Sequence, residues 1–340
     1  MSRFLEELRS RVLIYDGAMG TSLQKLELTL EDFGGKEGAN DYLVITRPDV
    51  IAQVHADYFE AGCDIVETNT FGGNRLKMAE YGIEEFTYRL NFEAAALARK
   101  EADRFSTPDK PRFVAGSIGP TGMLPSSDDP ALSKITFEEL AAIFEEQAQA
   151  LVEGGCDVLL VETSQDILEV KAAVVGINRY FKQSGKRVAL QVQVTLDVSG
   201  RMLLGTDILA AYTTLEALPI DIIGLNCSTG PEHMREPLRL LAERSRLPIS
   251  VLPNAGLPLN VDGRAVYPEQ PEPFGKAIEE FVSDFGIEIV GGCCGTTPDH
   301  IRELARRVGG RAPQGGPGES VPAGAGARRA GARHHAPHPQ

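Results

Sequence analysis

One pattern constrains this chain more than any other. Short β-branched apolar runs alternate with longer amphipathic stretches, eight times in about 300 residues. The runs are Val12–Tyr15, Asp64–Glu67, Phe113–Ser117, Val158–Glu162, Val188–Val194, Ile222–Leu225, Ile249–Leu252 and Ile287–Val290. Each is an apolar run, as expected for strands buried on both faces of a parallel sheet. Between them lie the helical stretches Pro48–Ala61, Glu84–Arg104, Thr136–Gly154, Asp166–Phe181, Asp207–Ala217, Glu232–Arg246, Pro273–Phe285 and Pro298–Arg307. Several open with Pro, Asp or Thr, which suit a first helical turn. A weak internal repeat supports the same reading. Glu60-Ala-Gly-Cys-Asp-Ile-Val-Glu-Thr68 echoes Glu153-Gly-Gly-Cys-Asp-Val-Leu-Leu-Val-Glu-Thr163, each a helix end, a Cys-Asp turn and a strand. Eight βα units are the arithmetic of an α/β fold of the (β/α)8 TIM-barrel type. An open doubly wound sheet is the alternative. It usually carries a Gly-rich phosphate loop after its first strand, and Asp16-Gly-Ala-Met-Gly20 is a poor match to one.

The repeat ends near residue 308. Residues 309–340 hold eight Gly, five Pro and four Arg against one acid, with few large apolar side chains. The expected organisation is a barrel over 1–308 and a Gly/Pro/Arg-rich disordered tail over 309–340. Three of the six histidines (His334, His335, His338) fall in that tail, where a solvated linker is the plain reading. His55, His233 and His300 belong to helices of the body, with ordinary packing or surface roles. Lys and Arg number 34 against 48 Asp and Glu, a net charge of −14. The tail carries about +3 of it, leaving about −17 on the body. Such a charge argues against binding a nucleic-acid backbone, which needs a basic footprint. No run approaches the roughly 20 apolar residues of a membrane span. The charged Met1–Arg11 segment lacks the apolar centre of a secretory signal. With no oxidising compartment indicated, the five cysteines read as thiols or thiolates of a cytoplasmic protein.

In a barrel of this kind, functional side chains sit just past the strands, on the loops of one face. Those positions hold Asp16, Thr68-Asn69, Gly119, Thr163, Thr195, Asn226-Cys227, Pro253-Asn254 and Gly291-Gly-Cys-Cys294, with Glu162 closing the fourth strand. The cysteines divide accordingly. Cys63 and Cys156 precede strands and belong at the opposite face as buried fillers. Cys227, Cys293 and Cys294 share the functional rim. Adjacent cysteines reach one metal only if the chain turns between them, and Gly291, Gly292 and Gly295 permit that turn. Three thiolates suit Zn2+, with an open fourth position for a substrate. The competing reading makes Cys293 and Cys294 small residues of a Gly-rich turn. A redox pair is disfavoured, since no C-x-x-C occurs.

A zinc ion held by three thiolates is a weak electrophile. It is well suited to hold a fourth sulfur, which it deprotonates and keeps electron-rich. The chemistry implied is alkyl transfer to that sulfur. Backbone N–H groups of the turn Gly17-Ala18-Met19 form an anion cradle for a carboxylate. Asp16 and Glu162 are placed to hold an ammonium. The separate alternative is that Asp16 caps a turn and Glu162 pairs with a basic side chain. Glu67 and Asn69 also end a strand, in a direction the sequence does not reveal.

Five segments carry a family resemblance: Asp16-Gly-Ala-Met-Gly-Thr21, Glu67-Thr-Asn-Thr-Phe71, Gly224-Leu-Asn-Cys-Ser228, Pro253-Asn-Ala-Gly256 and Gly291-Gly-Cys-Cys-Gly-Thr296. In order and position they resemble the homocysteine-binding domain of the homocysteine S-methyltransferases. Asn40-Asp-Tyr-Leu-Val44 and Gly116-Ser-Ile-Gly-Pro120 bring the likeness closest to the first module of cobalamin-dependent methionine synthases. The resemblance implies Zn2+ on Cys227, Cys293 and Cys294, and homocysteine held by the turn from Asp16 onward and by Glu162. Asn254, between the thiolate strands, is a candidate for the open metal position when substrate is absent. No D-x-H-x-x-G cobalamin motif occurs. The implied donor, methylcobalamin, would therefore come from a corrinoid module or protein. A free donor such as S-methylmethionine or betaine is the alternative, and a docking barrel without activity a third reading.

Overall fold

The computed structural model of this protein describes residues 1–314. Eight strands form one parallel sheet: β1 (Leu13–Ile14), β2 (Ile65–Glu67), β3 (Phe113–Ile118), β4 (Val158–Ser164), β5 (Ala189–Val194), β6 (Ile222–Asn226), β7 (Ile249–Leu252) and, after an antiparallel hairpin of β8 (Leu259–Val261) and β9 (Arg264–Val266), β10 (Ile289–Val290). Their order is β1-β10-β7-β6-β5-β4-β3-β2. A parallel bridge from Tyr15 to Ile65 joins the two ends, with Asp64 N–H to Ile14 O at 2.7 Å and Asp16 N–H to Ile65 O at 2.9 Å. The sheet is thus closed, and the TIM barrel expected from the sequence is the fold. The doubly wound alternative is excluded, since an open sheet has two free edges.

The helices start where the sequence places their caps. Thr136 accepts the N–H of Glu139, and Glu139 returns a bond to Thr136, closing a capping box on Phe137–Gly154. Asp166 and Asp207 cap Ile167–Ser184 and Ile208–Glu216 with a side-chain acceptor alone, for the N–H of Leu168 and of Ala210. Gly62 and Gly155 end their helices in the left-handed conformation and send the chain into β2 and β4. These are the repeated units seen in the sequence.

Alternation along each strand divides the apolar core in two. Ile14, Val66, Val114, Leu159, Val192 and Ile223 point outward to the helices. Leu13, Ile65, Phe113, Val158, Ala189 and Ile289 point into the barrel. The N-terminal helix Arg3–Ser10 plugs the lower opening with Phe4 and Leu8, both buried. Phe4 meets Phe113 edge-on with ring centroids 5.4 Å apart. Burying side chains of this size stabilises by about 1.5–3 kcal/mol each. Higher in the barrel the interior turns polar: Ser117, Glu162, Gln191, Gln193, Asn226 and Ser250 are all buried. That gradient leaves the polar chemistry at the C-terminal ends of the strands. No helix among the described residues is long and apolar enough to cross a membrane.

Residues 309–314 remain on the body. Arg311 O accepts the Val12 N–H at 2.8 Å, and the Arg311 guanidinium pairs with Glu279. The tail expectation for 315–340, with its histidines, lies outside the described residues.

His55 is fully buried on the helix Pro48–Ala61, and neither ring nitrogen has a partner. Burial pulls its pKa from the ordinary 6.5 to about 4. The folded state therefore holds it neutral, while the unfolded chain takes up a proton below 6.5. Its contribution is present above pH 6.5 and is lost as the pH falls toward 4, about 3 kcal/mol when fully expressed. His55→Leu is expected to melt at the same or a higher temperature at pH 7.5 and to lose less stability at pH 5. Equal acid sensitivity of the two proteins in thermal melts would overturn this.

Candidate metal and amino-acid site

The three rim cysteines come together, as the sequence reading required. Their sulfurs all lie within 4.8 Å of one another, and Cys227 Sγ and Cys294 Sγ are 3.9 Å apart. A tetrahedral ion with sulfur at about 2.3 Å separates its ligands by about 3.8 Å. The donor set therefore fits Zn2+ in type and spacing. The backbone is bent to achieve this. Cys227 and Ser228, after β6, have φ of 60° and 64°, a left-handed conformation that non-glycine residues enter at a cost of about 1–3 kcal/mol. Cys227 N–H bonds Leu252 O at 3.2 Å and Cys293 N–H bonds Pro253 O at 2.8 Å, tying the ends of β6, β7 and β10 together. Two glycines make the Cys293-Cys294 turn possible. A Cβ on Gly292 would lie 2.3 Å from Thr296 Oγ1, and one on Gly295 (φ 79°) 2.2 Å from Tyr267 Cβ.

Without a cation the cluster cannot hold three negative charges. Hydrogen bonds from Cys227 and then Cys293 pull the Cys294 thiol down to about 3, opposed by burial and helped by a further bond from Tyr267. The Cys293 thiol is pushed well up, first by its bond with Cys227 and then by that with Cys294. Cys63 and Cys156 sit at the other face, in the turns entering β2 and β4. Burial pushes both thiols up, so they are inert fillers.

Beside the sulfurs stand three carboxyls, the buried Asp16 and Glu162 and the half-buried Glu67. Asp16 Oδ2 accepts the Glu67 N–H at 3.1 Å, and its Oδ1 has no partner. Glu67 Oε1 also has none. Glu162 accepts Ser117 Oγ at 2.5 Å and Asn226 Nδ2 at 3.1 Å. Among the described residues no lysine or arginine pairs with any of the three, so the salt-bridge alternative for Glu162 does not hold. Burial raises all three pKa values. Asp16 rises well above the carboxylate range, with the Glu67 N–H opposing and Glu162 adding. Glu67 rises well above it too, with Glu162, Asp16 and Cys294 adding. Glu162 rises to about 7, with Ser117 opposing and Cys294 adding. A mouth in which six acidic groups converge without a basic side chain is built for cations.

The first-strand turn is more committed than its sequence implied. Ala18 N–H is spent on Thr296 Oγ1 at 3.2 Å, and Thr296 Oγ1 donates to Cys293 O at 2.6 Å. A Cβ on Gly17 would meet Thr296 Oγ1 at 2.8 Å and the Tyr58 ring at 2.9 Å. Tyr58 in turn donates to Ala18 O at 2.8 Å. The helix Met19–Gln24 follows, and its first N–H groups have no intrahelical partner. Asn254 is buried beside the sulfurs, its Oδ1 without a partner. Sequence reasoning named Glu67 without a direction, placed Asn226 on the rim and Thr296 in a motif without a role for either, and missed Tyr267. Period-two alternation puts Glu67 on the face of Ile65, and the closed barrel makes that face the inner one.

A rim of three sulfurs that could hold a metal ion lies beside a cluster of acids at the mouth of a closed (β/α)8 barrel. A family model described as homocysteine S-methyltransferase matches residues 13–308, and the chain belongs to that family. Among curated relatives it is 48% identical over 304 residues to methionine synthase of Mycobacterium leprae (strain TN), and 46% identical over 304 residues to that of Mycobacterium tuberculosis (strain ATCC 25618 / H37Rv). Each alignment covers 89% of this chain and 25% of the relative, so the chain spans a quarter of the length of these proteins. Among solved structures, the homocysteine methyltransferase MmuM from Escherichia coli in its metallated form superposes with a TM-score of 0.72 at 24% identity, covering 90% of this chain and 99% of that one. That likeness bears on the fold.

Proposed function

We propose that this barrel is the homocysteine-activating domain of a zinc-dependent homocysteine S-methyltransferase that forms methionine from a methyl group carried by methylcobalamin. The single observation that carries the reading is the convergence of Cys227, Cys293 and Cys294 with three acids that have no basic partner among the described residues, in one barrel mouth. The three cysteines would hold Zn2+, which supplies acidity to a substrate thiol and keeps it as the nucleophilic thiolate. Asp16 and Glu162 take the α-ammonium, with Glu67 adding negative potential from β2. Gly17, Ala18 and Met19 form the turn that faces the α-carboxylate, Ala18 being held by Thr296 and the free N–H groups coming from its neighbours. Asn254, with its unpartnered oxygen, would offer a further ligand to the metal when substrate is absent.

Similarity to methionine synthases four times longer supports a donor delivered by a corrinoid module or protein rather than a free sulfonium or betaine. The test is direct. The zinc-loaded chain is incubated with homocysteine and either methylcobalamin or S-methylmethionine, and methionine is measured. Methionine from methylcobalamin, lost on chelation and restored by Zn2+, is expected. Turnover with S-methylmethionine alone would overturn the donor. Failure to bind homocysteine at all would overturn the function.

A further inference from the structure

Asn226, the last residue of β6, is fully buried and joins the two halves of the site. Its Oδ1 accepts the Thr163 N–H at 2.9 Å. Its Nδ2 faces three acceptors: Thr163 Oγ1 at 2.9 Å, Glu162 Oε2 at 3.1 Å and Cys293 Sγ at 4.0 Å. An amide NH2 has two hydrogens, so one acceptor is always under-served. Here it is the sulfur, at the limit of contact.

The amide cannot swing away. Thr163 grips it through both backbone and side chain, and is itself held at φ 54° in the irregular end of β4. Thr195 Oγ1 fixes the Asn226 carbonyl at 2.9 Å. What remains free is the sharing of one N–H between the carboxylate of Glu162 and the sulfur of Cys293.

We propose that Asn226 is a positioning residue that transmits occupancy of the ammonium clamp to the thiolate set. An amino group arriving at Glu162 neutralises the carboxylate and weakens its hold on the amide hydrogen, whose sharing then shifts toward Cys293 without rotation of the amide. An N–H···S bond draws charge from that thiolate and fixes its direction. The substrate's own sulfur is then the most electron-rich of the set, so alkylation is directed to it and away from the protein. No covalent bond of Asn226 changes. The proposal rests on the reading of the site as a thiolate-metal centre beside an amino-acid clamp.

The test uses the full chain loaded with Co2+ in place of zinc, whose sulfur-to-cobalt charge-transfer band reports the thiolates. The probe is 2-aminobutyrate, which carries the ammonium and carboxylate of homocysteine but no thiol. Saturating 2-aminobutyrate is expected to shift the band of the parent. In Asn226→Asp, which keeps an acceptor for Thr163 but loses the donors, and in Asn226→Ala, the shift is expected to vanish while calorimetry still shows binding. Zinc affinity of both variants, by chelator competition, should fall about 10-fold. Thermal melts check that each folds, and Asn226→Asp carries the test if Asn226→Ala does not. A shift that survives in the folded variants overturns the proposal. So does a parent band unmoved by 2-aminobutyrate but moved by homocysteine, or a variant that no longer binds 2-aminobutyrate, which would place Asn226 in the clamp itself. A band unmoved by homocysteine overturns the functional reading and this inference with it.

Discussion

Cys293→Ala is expected to purify folded, with no stoichiometric Zn2+, and to form methionine at a rate reduced on the order of 10³-fold or more. Substitutions that merely orient a metal ligand cost about 10–100-fold, so loss of a ligand itself costs more. Cys227 and Cys294, 3.9 Å apart, retain only two sulfurs, too few to close a site that already lacks a fourth protein thiolate. The fold should tolerate the change. Cys293 is half-buried on the rim, and the turn is held by backbone bonds, among them Cys293 N–H to Pro253 O and Thr296 N–H to Cys293 O at 3.1 Å. Metal analysis, a thermal melt and a methionine assay on one preparation check all three expectations. Stoichiometric zinc with parental activity would sink the three-sulfur assignment.

The ease with which the sequence yields this site, and the places where it does not, have physical causes. The barrel was legible because eight apolar runs with helices between them permit few other closed arrangements, and the helix caps Thr136, Asp166 and Asp207 mark their own positions. The sorting of the cysteines followed from strand direction alone. The inward face did not follow. In a strand buried on both sides hydrophobicity is uniform, so Val66 and Glu67 differ only in polarity and nothing local says which faces the barrel. Glu67 and Asn226 gain their roles from closure, which turns Ile65, Glu67 and Asn226 toward one axis. The N-terminal helix reads as amphipathic, but its seat in the lower opening is set by Phe113 across the barrel. The hairpin of β8 and β9 escaped notice because all six of its strand residues are exposed and carry no burial pattern. Thr296 sat in plain view within a motif, yet its bond to Ala18 spans 278 residues.

Glu162→Gln should separate stability from function in one molecule. The affinity for homocysteine is expected to fall on the order of 10²-fold, the worth of a hydrogen bond to a charged partner in a buried place. The ligand-free protein should at the same time become more stable at pH 8. Burial raises the Glu162 carboxyl to about 7, so its protonated form suits the fold and its ionised form does not. Its contribution is complete below the ordinary value near 4.5, and is lost as the pH rises through about 7. An amide never ionises and never incurs that loss, on the order of 2–3 kcal/mol at pH 8. The local bonds survive the exchange: the new carbonyl accepts from Asn226 Nδ2, while the Ser117 hydroxyl rotates to accept from the new NH2. The stability of the variant relative to the parent should therefore grow as the pH rises from 5 to 8.5, the His55 contribution being common to both, with calorimetry showing the lost affinity. A variant that is less stable at pH 8, or that binds homocysteine as the parent does, would mean that Glu162 serves the scaffold and that the ammonium is held elsewhere.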